Sequence, residues 1–85
     1  LFKAYPNPTN SEITLEFYTP DVLADWLEIN IFNSIGQLIN TENLALINQK
    51  ASISYNGTYF SQGIYYVTLP ELKCNTSTGK FVVVR

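Results

Sequence analysis

The chain has no histidine, a single cysteine, and only 14% charged residues among its 85. Without histidine there is no imidazole to act as general base, as zinc ligand or as the middle of a Ser–His or Cys–His pair. Any catalysis would fall to carboxylates. One cysteine, Cys74, excludes an internal disulfide, so the fold must rest on packing and hydrogen bonds, and the redox compartment is not legible from thiols. A net charge of −2 with scattered signs leaves no electrostatic footprint for nucleic acid or an anionic membrane. The chain opens at Leu1, carries no charged leader and has no apolar run long enough to span a bilayer. It reads as a piece of something longer, whose own export signal would lie upstream.

What is present is a hydrophobic content of 46%, enough for one modest core. The expectation is a single domain over residues 1–85, with residues 1–10 partly linker because two prolines resist a central strand, although Phe2 and Tyr5 argue that this segment docks. Period-two alternation punctuated by Gly, Pro, Asn and Ser predicts an all-β sandwich or barrel. Ile13 to Tyr18 alternates Ile13, Leu15 and Phe17 against Thr14, Glu16 and Tyr18. Leu27 to Phe32 repeats that logic, and Asn33-Ser34-Ile35-Gly36 then supplies turn chemistry for a hairpin returning through Gln37 to Asn40. Asn40 to Lys50 reads as strand and loop, although Leu44 and Ile47 would also suit a helical turn. Ala51 to Tyr55 is a short strand closed by Asn56-Gly57. Ile64 to Leu69 is another, ended by Pro70. After a polar loop at Asn75 to Thr78, Phe81 to Val84 is apolar on both faces, as in a strand covered on both sides or awaiting a partner.

Each candidate for chemistry has a plainer structural reading. Glu12 and Glu16 would share a wet strand face, whereas paired catalytic carboxylates need a concave, partly dry site. Asp21, Asp25 and Glu28 lack the alternating ligands and central glycine of a calcium loop. Trp26, Tyr18, Tyr55, Tyr59, Tyr65 and Tyr66 could form a sugar-binding platform, but aromatics in small sheets serve core and cross-strand pairs, and adjacent Tyr65 and Tyr66 must face opposite ways. Gly36, Gly57 and Gly63 stand where a turn would require positive φ. Asn56-Gly57-Thr58 and Asn75-Thr76-Ser77 fit the glycosylation acceptor pattern by chance-level matches. Lys80 and Arg85 flank an apolar strand as gatekeepers against aggregation. Nothing implies a cofactor or a metal.

Four signals occur in order: Tyr5-Pro6-Asn7-Pro8; Leu27 to Gly36; Gly63-Ile64-Tyr65-Tyr66-Val67-Thr68-Leu69; and Gly79-Lys80-Phe81-Val82-Val83-Val84-Arg85. Together they resemble the C-terminal sorting domain, in its common type A form, of proteins exported by the type IX (Por) secretion system of Bacteroidetes. The resemblance runs from Tyr5 to Arg85; the Glu71 to Thr78 connection is longer than the family pattern, and Asn40 to Lys50 matches by spacing alone. It implies an immunoglobulin-like antiparallel β-sandwich of about seven strands, without enzymatic activity. The implied role is to direct an attached cargo through the periplasm and across the outer membrane to the cell surface or beyond. The implied partners are the outer-membrane translocon, its shuttle and sortase proteins, and the cargo itself. The sortase usually cuts the domain off. The recognition residues carried over are Pro6, Asn7, Pro8, Gly36, Gly63, Tyr65, Gly79, Lys80 and Arg85. The rival expectation is a carbohydrate-binding or adhesive sandwich of a secreted hydrolase, which requires a row of exposed aromatics on one sheet face.

Overall fold

Alternation of apolar and polar side chains gives each strand one face for the core and one for water, and the computed structural model arranges seven such strands, with no helix, among the residues it describes (2–7, 11–20, 24–56, 58–70 and 79–84). They are β1 (Phe2–Tyr5), β2 (Ile13–Tyr18), β3 (Trp26–Asn33), β4 (Leu38–Ala45), β5 (Lys50–Tyr55), β6 (Gly63–Thr68) and β7 (Gly79–Val83). Two antiparallel sheets result, ordered β1-β2-β5 and β4-β3-β6-β7. Relative to a constant-type immunoglobulin domain, the fourth strand has moved to the second sheet, beside the third. The expected immunoglobulin-like sandwich is what forms.

The core lies between the sheets. Ile13, Leu15 and Phe17 of β2 face Leu27, Ile29 and Ile31 of β3, with Val67 of β6 and Phe81 of β7 equally sealed from water. Each such side chain contributes roughly 1.5–3 kcal/mol by leaving solvent, offset largely by chain ordering. At one end, Phe60 joins the sheets. Its ring meets Tyr55 of β5 at 5.0 Å, Tyr65 of β6 at 4.9 Å and Phe81 of β7 at 5.2 Å. These geometries are edge-on or tilted, as the ring quadrupoles favour.

One hairpin and one tight turn between the sheets shape the middle of the chain. In the β3–β4 turn the Asn33 side-chain oxygen accepts the N–H groups of Ile35 (3.2 Å) and Gln37 (2.9 Å), and Gly36 closes the turn at φ +87°. A Cβ at Gly36 would meet open space, so glycine is required there by conformation alone. One residue further on, the register slips: Phe32 lies opposite Leu38 but Ile31 opposite Asn40, leaving Ile39 as a bulge. The β4–β5 connection is a two-residue turn in which both Asn48 (φ 55°) and Gln49 (φ 64°) are left-handed, between the mutually bonded Ile47 and Lys50. This is the twist-matched hairpin turn. It carries the chain from one sheet to the other, and the strand-and-loop reading of Asn40 to Lys50 holds over the helical one.

Phe2–Tyr5 pairs with β2, with Phe2 opposite Phe17 and Tyr5 opposite Thr14, so the docking expected of Phe2 and Tyr5 takes the form of an edge strand. Gly63 has the positive φ expected of it, +158°, but it opens β6 instead of sitting in a turn. Gly57 and Cys74 lie outside the described residues, as do the Asn75 to Thr78 loop and Asp21 of the acidic cluster.

Candidate functional site

The last strand sits at the edge of the four-stranded sheet, paired on one side to β6 only. Its alternation divides its residues cleanly. Phe81 and Val83 are buried, whereas Lys80 is exposed and Val82 half-buried on the outer face. The ladder places Tyr65 opposite Phe81 and Tyr66 opposite Lys80. Tyr65 and Phe81 stack at 5.3 Å, and the Tyr65 hydroxyl donates to the Ser61 carbonyl at 2.7 Å. A sixth-strand tyrosine bonded back to backbone a few residues upstream is the tyrosine corner of immunoglobulin-like folds. Tyr65 is therefore a core anchor that fixes the start of β6. Its neighbour Tyr66 faces solvent, as adjacency on a strand demands.

Gly79 begins β7 beside the Phe2 ring: an added Cβ there would fall 2.7 Å from Phe2 Cε2 and closer still to Cδ2. Phe2 in turn meets Phe17 edge-on at 5.2 Å. So the glycine makes room for an aromatic ring of the other sheet. Further along the same edge, the chain leaves the first sheet after Tyr5, and the Asn7 side-chain oxygen accepts the Val82 N–H at 2.9 Å, across a separation of 75 residues. The opening and closing motifs meet.

Among the expected recognition residues, Asn7, Gly63, Tyr65, Gly79 and Lys80 are thus gathered by the β6–β7 pairing and the Asn7 contact. Pro6 is exposed just before Asn7, and Gly36 is at the β3–β4 turn, at the end of the sheet where β6 begins. Pro8 and Arg85 lie outside the described residues. Sequence reading expected Phe2 to dock but not against Gly79, and it missed Val82 as the partner of Asn7, for which the apolar run of β7 was the available signal.

The remaining candidates are dispersed. Trp26 and Tyr66 share the outer face of the four-stranded sheet, but Tyr66 pairs with Phe32, so six residues of β3, roughly 20 Å, separate them. Tyr5 and Tyr18 are on the other sheet and Tyr59 in a loop. The row that a sugar platform needs is not formed among the described residues. A shallow groove of about 1040 Å³ is lined by Lys3, Glu16, Tyr18, Lys50 and neighbours, and Glu16 is the one carboxylate on its described wall. That carboxylate accepts from the Tyr5 hydroxyl at 2.6 Å, a bond that, with slight desolvation and the carboxylate's charge, raises the phenol's pKa. Glu12 precedes β2 and is exposed. Among the described residues no three acidic or thiol side chains converge as a metal set, and no helix is long and apolar enough to cross a membrane.

Fold and surface together define a small immunoglobulin-like module with its first and last segments joined. Residues 3–84 match the model of one family, the secretion system C-terminal sorting domain, and the chain belongs to that family of type IX secretion. No curated protein and no solved structure matches it. The family is one of sorting signals rather than catalysts, found in Bacteroidetes. Membership implies an attached cargo, a type IX system and export to the cell surface or outside.

Proposed function

We propose that this domain is a non-catalytic address label: the outer-membrane translocon reads the Gly79 to Arg85 segment as part of the folded sandwich, after transit of the periplasm, and the surface sortase recognises the domain and cuts it from its cargo. The family match over residues 3–84 carries this reading. The position of β7 supports it, since a strand at the border of the sheet presents the exposed Lys80 charge to a partner while Phe81 holds it to the core. Asn7, Gly63 and Tyr65 then act by holding that strand.

Export of a reporter fused upstream of the domain, with and without Gly79 to Arg85, tests the reading. Loss of export with the truncated domain is expected; equal export would contradict it. The sortase step has a separate readout, the release of the reporter from the domain at the surface.

A further inference from the structure

An edge strand carries unpaired backbone groups that invite another strand, and β7 is exposed to that hazard. Residues along an antiparallel strand point their N–H and C=O alternately to one neighbour and the other. Val82 donates to Asn7, not to β6, so the backbone groups of Lys80 and Val82 face the open edge. The strand is also self-complementary. Centred on Val82, two copies running antiparallel would set Lys80 of each against Val84 of the other and Phe81 against Val83, continuing both faces without opposing like charges. Its Phe81-Val82-Val83-Val84 run is of high β-propensity and low charge.

We propose that Asn7 is a latch on this edge: by capping the Val82 N–H it prevents β7 from pairing with β7 of a second copy of the chain. The side chain occupies the position that the incoming carbonyl would take. The latch goes beyond the sorting role, in which Asn7 helps to hold β7, and its test reads association of the chain rather than export.

Hydrogen exchange at the Val82 amide and the oligomeric state of the isolated chain test it together. In Asn7→Ala the Val82 amide is expected to exchange about five- to tenfold faster at dilutions where the variant is still a monomer, and the protein to dimerise at higher concentrations where the parent chain stays a monomer. Asn7→Asp keeps an acceptor oxygen, so it should retain both protection and the monomer. Adding Val82→Pro to Asn7→Ala removes an N–H that faces away from β6, a position where an edge strand tolerates proline, and should restore the monomer. Unchanged exchange in monomeric Asn7→Ala would overturn the latch. Faster exchange without dimers, or dimers that survive Val82→Pro, would overturn the assigned occupant. If alanine disturbs the bend at Pro6 and Asn7, Asn7→Ser keeps turn propensity, is one bond too short to reach, and serves as the same test.

Discussion

On one open side of the sandwich, between β4 and β5, polar side chains close the gap; on the other, between β1 and β7, an aromatic ring and one amide do. At the first, the Asn40 amide donates to Glu42 at 2.8 Å and to the Tyr55 hydroxyl at 3.0 Å, and that hydroxyl donates to Glu42 at 3.2 Å. All three belong to neighbouring strands joined by the tight Asn48-Gln49 turn. At the second, Phe2 lies over Gly79 and Asn7 binds Val82, joining segments at opposite ends of the sequence. The first side is closed by the loop that connects it. The second has no such tether, and there the family's opening and closing motifs lie.

Substitutions should separate the two sides. The largest effect is expected from Phe81→Ala, which detaches β7 from Phe60 and Tyr65 and should cost about 3–5 kcal/mol by chemical denaturation. Next is Gly79→Ala, a small-to-large change against the Phe2 ring, expected to cost about 1–3 kcal/mol. Pairing it with Phe2→Ala should recover part of that loss, because the ring is then no longer in the way. Full additivity of the two changes would show that the contact does not close this side.

The polar side is predicted to be weaker and sensitive to alkali. Burial raises the pKa of the Tyr55 hydroxyl above its usual value near 10, the Asn40 hydrogen bond pulls it partly back, and the charge of Glu42 raises it again. The folded protein therefore holds the phenol proton more tightly than the unfolded chain does. Below the unfolded value both states keep the proton and the contribution of Tyr55 is complete; it is lost as pH rises above that value. Tyr55→Phe should cost about 1 kcal/mol at neutral pH and flatten the stability decline above pH ~10. A decline of the same steepness in Tyr55→Phe would assign it to another group.

Much of the sandwich was legible because burial on one face writes a period of two into β2 and β3, because β6 and β7 are rich in β-branched and aromatic residues, and because Asn33 and Gly36 carry their turn chemistry locally. Two elements were obscured. Phe2–Tyr5 is only four residues long and abuts prolines, so its alternation is too brief to stand out. In β4 the Ile39 bulge shifts the face that points inward, and its inward positions include polar Asn40 and Glu42, which satisfy each other and Tyr55. The Asn48-Gln49 turn lacks the glycine that usually announces it. For the candidate site, the motif residues could be named from sequence, but not what they touch. That Gly79 answers to Phe2 and Asn7 to Val82 depends on two distant segments lying side by side, and no local pattern encodes it. Tyr65, carried over as a recognition residue, has its side chain in the core.

The central claim is that the export machinery reads the folded edge strand, and charge reversal at Lys80 tests it most directly, because Lys80 is exposed on β7 and its replacement leaves Phe81 and Val83 in place. With folding verified, a reporter carrying Lys80→Glu should lose most of its export, while Lys3→Glu, exposed on β1 in the other sheet, should match the parent domain. Equal export of the two variants would contradict the account.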